Sequence, residues 1–238
     1  MSNCMRYRAM DELGEGVVNS YLRVTRFGGT PKCIDIEGIA NNLGLKITYA
    51  RFAEEDPDKI GFLANGSTPL KIWNESGIVS FLFPLGTIVL DERLRRDQES
   101  GRCRFTIAHE VAHAILKKNT LQLQPQYKRV FNPEENYSLQ QMKTQFSFEE
   151  VQADRLAAAI LMPYFVVAQA LLDFNGGNNL LVYGDNILPA EEQRKVNKMA
   201  AQIGVSYTAL LIRLRQFNML RYQSLGEYLD QNLWEGKG

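Results

Sequence analysis

The stretch Arg104-Phe-Thr-Ile-Ala-His109-Glu110-Val-Ala-His113-Ala-Ile-Leu116 constrains the chain most, because it sets two imidazoles and a carboxylate at fixed helical intervals. On a helix of about 3.6 residues per turn, His109 and His113 project from one face, so one nitrogen of each can meet at a single metal ion. Glu110 follows the first of them and can reach a nucleophilic water as a general base. These are the chain's only two histidines, and both fall in the motif, which favours a metal site over two incidental core or surface side chains.

A hydrolytic zinc needs a third protein ligand and one open position. With no other histidine in the chain, that ligand is an Asp, Glu or Cys. The segment Ser147-Phe-Glu149-Glu150-Val-Gln-Ala153-Asp154-Arg155-Leu-Ala157 reads as a second helix, with Glu150, Ala153, Asp154 and Ala157 on one face. The alanines let it approach the first helix closely. Glu150 is then the leading candidate for third ligand, and Asp154, one turn on, can accept a hydrogen bond from the outer nitrogen of a ligating histidine. Two other readings stay open: Ser147 and Glu150 also fit a capping box, which would pass the ligand role to Glu149, and Asp154 also fits a surface pair with Arg155.

Composition excludes several classes of partner. Lys+Arg and Asp+Glu are both 27, so no global charge draws the chain to nucleic acid or to a membrane surface. Direct nucleic-acid binding is therefore not expected, although a local basic face remains open. The first residues lack the apolar run of a secretory signal, and no stretch approaches the roughly 18 apolar residues of a membrane helix. Cys4, Cys33 and Cys103 are odd in number and show no Cys-x-x-Cys spacing, which suits reduced thiols. A cytoplasmic setting is expected.

Residues 1–15 are weakly patterned, and a short helix is expected up to Tyr21-Leu22. Asp35 reads as the N-cap of a helix from Ile36 to Leu43 that ends at Gly44. Leu45 to Tyr49 then alternates apolar and polar residues, the period of a strand. Further strands are expected over Ile60–Ala64, Leu70–Trp73, Ile78–Phe83 and Thr87–Asp91, separated by turn residues and suggesting antiparallel hairpins. If an edge strand borders the metal cleft, an extended peptide can add to it. The metal helix is expected from Ser100-Gly101 to Lys117-Lys118-Asn119, held in the core by Phe105, Ala108, Ala112, Ile115 and Leu116.

The pairing of Arg104-Phe-Thr-Ile-Ala-His109-Glu110-Val-Ala-His113 with Glu150-Val-Gln-Ala-Asp154-Arg-Leu-Ala-Ala-Ala-Ile-Leu-Met-Pro163 resembles the ImmA/IrrE family of zinc metallopeptidases. The likeness extends over roughly Ile34 to Tyr222. It implies an α+β, minimal zincin-like domain with a small mixed or antiparallel sheet and active-site helices. It also implies zinc held by His109, His113 and Glu150, with Glu110 as base, and a protein substrate: a helix-turn-helix repressor encoded nearby on a mobile element or in a stress-response locus. Leu156 and Ile160 depart from the family's usual Phe and acidic or polar residue, a change expected in packing rather than chemistry. No separate N-terminal DNA-binding domain is evident.

The organisation expected is an N-terminal segment 1–33, a metallopeptidase domain 34–175, and a C-terminal helical region 176–238 packed on it. The polar connection Asn119–Phe146 reads as a lid or as a surface excursion, with Tyr127 and Tyr137 as candidate oxyanion donors. In the last region, Gly204 and Ser206 separate two helical patterns in the manner of a helix-turn-helix, with Arg213 and Arg215 available for phosphates. Core packing or partner recognition is the plainer use of that element, since its basic residues are few. Beside the peptidase stand two other functional readings: a non-catalytic zinc-binding regulator that senses a signal or sequesters a repressor, and a DNA-binding regulator with a structural metal.

Overall fold

The computed structural model describes residues 7–56, 59–96, 100–118 and 148–229. Ser147, Tyr127, Tyr137 and the connection Asn119–Phe146 lie outside them, and so do the capping-box, oxyanion and lid readings. Packing divides the chain into two units, one within Met1–Gly29 and Ile34–Pro163, the other within Thr30–Cys33 and Tyr164–Gly238.

In the first unit the weakly patterned opening forms a long helix, α1 (Tyr7–Val24). Met10 and Val18 are buried, and Gly14 lies between them at helical spacing. Helix α2 (Ile36–Asn42) starts where expected: the Asp35 side chain accepts from Gly38 N–H, and Gly44, at φ +81, follows its end. Five strands come next, β1 (Lys46–Phe52), β2 (Gly61–Leu63), β3 (Leu70–Asn74), β4 (Gly77–Phe81) and β5 (Thr87–Asp91), in the spatial order β2-β5-β1-β3-β4. The antiparallel expectation holds for β2 with β5, β1 with β3 and β3 with β4. It fails for β1 with β5, which run parallel from Lys46↔Thr87 to Ala50↔Asp91, so the sheet is mixed. All five residues of β5 are buried, matching its nearly continuous apolar run.

One face of this sheet closes over Ala50, Phe62, Leu70, Phe83 and Val89. The opposite parity, Gly61 and Leu63 on β2 with their partners Leu90 and Ile88 on β5, faces helix α3 (Ser100–Lys118). Helix α3 is buried more widely than the expected stripe: Ile107, Ala108, Val111 and Ala112 are at most 1 % exposed, whereas Phe105, Ile115 and Leu116 are half-buried. It packs against the sheet and against α4 (Phe148–Leu161). Ala108 and Ala112 on α3, with Ala153 and Ala157 on α4, are fully buried and bring the two backbones close. Helix α1 packs on α4, where Arg155 Nη2 donates to Asp11 Oδ2 at 3.0 Å. This α+β arrangement is a minimal zincin-like domain.

The second unit runs through α5 (Tyr164–Asn175), β6 (Leu180–Tyr183), α6 (Ala190–Ile203), α7 (Tyr207–Gln216), β7 (Leu220–Gln223) and α8 (Leu225–Leu229). Helix α5 stands before the Asn175–Gly177 break, yet it packs on α6 and so belongs to the second unit. Gly204 ends α6 at φ +76, and Ser206 Oγ accepts from Ala209 N–H at 3.1 Å to open α7, the expected helix-turn-helix connection. Sequence patterning misses the parallel pair β6–β7. Arg213 falls to core packing, the plainer of the uses expected of this element. It is 1 % exposed, with its guanidinium 4.2 Å from the centre of the Phe217 ring, so it is core rather than a phosphate contact. Among the described residues no single helix is long and apolar enough to cross a membrane.

Candidate metal centre

His109 and His113 stand on consecutive turns of α3, their rings edge to face with centroids 4.6 Å apart. Their Nε2 atoms are 3.0 Å from each other. Glu150, in the first turn of α4, places Oε2 3.1 Å from His109 Nε2 and 3.4 Å from His113 Nε2. Three ligand-type atoms thus surround one point, and this is the metal-binding group found among the described residues. Glu149 does not join it. All three side chains are largely buried, at 13 to 15 % exposure.

The donor set fits zinc. Two imidazole nitrogens and one carboxylate oxygen at bonds of about 2.0–2.1 Å in a tetrahedron are separated by roughly 3.3 Å. The separations seen here, 3.0, 3.1 and 3.4 Å, lie around that value. On the far edge of the same ring, His109 Nδ1 is 2.8 Å from Asp154 Oδ1. An ionised Asp154 can only accept, so Nδ1 carries a proton, and Nε2 is left to donate to Glu150 or, once deprotonated, to serve as a metal ligand. Two imidazole nitrogens and a carboxylate oxygen around one point form a group that can hold a cation once the nitrogens are deprotonated.

Electrostatics agree. Burial alone would lower the His109 pKa, but the hydrogen bonds it donates to Asp154 and Glu150, with the charge of Glu110 nearby, raise it well above the ordinary imidazole value. Glu150 is pushed upward by burial, and its hydrogen bonds to both histidines overcome this and bring it down to about 2. The cluster is therefore a concentrated negative site that a proton or a metal ion can neutralise.

Glu110 is 3 % exposed and turned toward the sheet, where its Oε1 approaches the backbone of Gly61 on β2. β2 is an edge strand. The carbonyl of Ile60 and the N–H of Ala64 bond to β5, so the alternation directs the backbone groups of Gly61 and Leu63 outward. Arg104 Nη2 donates to the Ile34 carbonyl at 2.6 Å, tying α3 to the segment before α2.

A His-Glu-x-x-His helix crossed by a second helix that brings a glutamate to both imidazoles, beside a mixed sheet, is a zincin-like arrangement with a group that could hold a metal ion. Residues 40–215, well over half of the chain, match the Peptidase_M78 model, the IrrE N-terminal-like domain, and the protein belongs to that family. Membership supports a metallopeptidase-type function. No match is found among curated proteins.

Proposed function

We propose that the protein is a zinc-dependent endopeptidase whose substrate is a helix-turn-helix repressor or a similar regulatory protein. The observation that carries the reading is the convergence of His109 Nε2, His113 Nε2 and Glu150 Oε2, with the charge of the Glu110 carboxylate felt at His109 and its Oε1 against an edge strand. His109, His113 and Glu150 would hold the ion, and Asp154 would keep His109 in the tautomer that presents Nε2. When bound, zinc supplies Lewis acidity and brings the pKa of a water down to about 7. Glu110 takes the proton of the attacking water on a carboxylate oxygen and delivers it to the departing amine. The outward backbone groups of Gly61 and Leu63 offer an extended peptide a strand to pair with, which aligns the scissile bond without demanding a particular sequence. The repressor as substrate rests on the resemblance to ImmA/IrrE proteins.

The test uses the metal-loaded full chain and purified helix-turn-helix repressors encoded beside it, with fragments identified by mass spectrometry. Cleavage by wild type, and its loss in Glu110→Gln at unchanged zinc content, is the expected result. Cleavage that survives Glu110→Gln, or zinc content unaffected by His113→Ala, would overturn the mechanism.

A further inference from the structure

Gly61 opens β2 directly opposite the face of α3 that carries Thr106 and Glu110. A Cβ at this position would stand 2.4 Å from Thr106 Cγ2, 3.0 Å from Glu110 Oε1 and 3.6 Å from Glu110 Cγ. The first distance is impossible and the second is tighter than nearly all real contacts. Both partners are enclosed, so a new Cβ would shift them rather than pass between them. Thr106 and Glu110 are 7 % and 3 % exposed, and Thr106 Oγ1 is committed to the Arg102 carbonyl at 2.9 Å, which fixes the direction of its methyl. On the other side, β2 is held by its ladder to β5 and by Phe62 in the apolar cluster. Gly61 takes no left-handed φ, so turn geometry does not require a glycine here.

We propose that Gly61 is a positioning residue for the Glu110 carboxylate: the bare backbone of β2 is the wall against which Thr106 and Glu110 seat, and it sets where that oxygen points. This rests on Glu110 acting as the base. Proton transfer in the attack depends steeply on placement, and a displacement of about 1 Å can cost about a hundredfold in rate. A side chain at position 61 would therefore act on the rate of the chemical step through Glu110, leaving the metal ligands in place.

The experiment compares Thr106→Ser, Gly61→Ala and the double variant G61A/T106S. Thr106→Ser removes the methyl that stands 2.4 Å from the new Cβ and keeps the hydroxyl for Arg102, so in the double variant the remaining conflict is with Glu110 Oε1 at 3.0 Å. Gly61→Ala alone is expected to lose thermal stability. The double variant should recover the melting temperature of Thr106→Ser and bind zinc with unchanged affinity, while kcat on the repressor stays several-fold down and KM moves less than twofold. A crystal structure of the zinc-loaded double variant should show the Glu110 carboxylate displaced. Recovery of kcat together with stability, or an unmoved Glu110 in that structure, would overturn the proposal and reduce Gly61 to a packing residue. Glu110→Gln in the same assay separates the two ideas: surviving cleavage defeats the base assignment, whereas the position of Glu110 in the double variant still decides what Gly61 does.

Discussion

Asp154 Oδ1 accepts a hydrogen bond from His109 Nδ1 at 2.8 Å, one helical turn beyond the glutamate that meets the same ring's Nε2 at 3.1 Å. A single helix thus holds both edges of one imidazole. Asp154 keeps a proton on Nδ1, and Glu150 meets Nε2, which donates to it until His109 deprotonates. Replacing Asp154 with Ala removes the acceptor and lets the ring turn, without touching a ligand. Zinc affinity, measured by competition with a chromophoric chelator, should fall by about 10–100-fold. Asp154→Asn, which keeps an oxygen acceptor but loses the charge, should fall between that variant and wild type. An affinity unchanged in Asp154→Ala would show that packing against α4 alone orients His109.

The raised His109 and lowered Glu150 give the site a defined response to pH. His109 is held above its ordinary 6.5, so in metal-stripped protein its contribution to stability is complete below 6.5 and is lost as pH rises through the raised value. Glu150 falls from 4.5 to about 2, so its contribution is present above 4.5 and is lost as pH drops through about 2. The stripped protein should therefore draw most stability from this cluster between 4.5 and 6.5. Zinc must displace the His109 proton, so apparent affinity should rise about tenfold per pH unit until His109 has deprotonated. Calorimetric titrations in buffers of different ionisation enthalpy would count the proton released. Binding with no proton release at pH 6 would contradict the raised value.

The candidate metal site is the most legible part of the chain because its residues recur at fixed spacing. His109 and His113 are four apart on one helix, and Glu150 and Asp154 repeat that interval on the next. Strand β5 is legible to the residue, since Thr87–Asp91 is a short apolar run bounded by Gly86 and charged residues. Pairing is less legible. The parallel alignment of β1 with β5 brings together strands that chain order separates by three others, and hairpin signals describe neighbours only. Only the end of helix α1, toward Tyr21-Leu22, is legible, because Gly14 and Gly16 interrupt the apolar period before it, and what they signify depends on partners remote in sequence. Arg213 looks like a surface residue because charge usually is, and only coordinates reveal Phe217 under its guanidinium. Gly61 carries no signal at all without Thr106 and Glu110 opposite it.

Gly14 and Gly16 lie one turn or less apart on α1 and should respond to the same substitution with opposite signs. A Cβ on Gly14 would stand 2.6 Å from Ala159 Cβ and 2.9 Å from the Ala159 carbonyl carbon, a backbone atom of α4 that has no rotamer in which to give way. Gly14→Ala regains about 0.5–1 kcal/mol from helix propensity but incurs about 1–3 kcal/mol of overpacking, so the net should be destabilising. At Gly16 a Cβ meets nothing within 4 Å, because that side of α1 opens onto a cavity of about 330 Å³ shared with Leu13, Val17 and Ile39. Gly16→Ala should therefore keep the whole propensity gain and raise the melting temperature. The pair also tests how α1 communicates with the metal centre, because α4, which Gly14 touches, carries Glu150 and Asp154. Forcing α1 away at Ala159 should weaken zinc binding in Gly14→Ala, whereas Gly16→Ala should leave affinity as it was. If both variants shift stability alike and zinc binding is indifferent to both, the α1–α4 contact plays no part in holding Glu150 against the histidines.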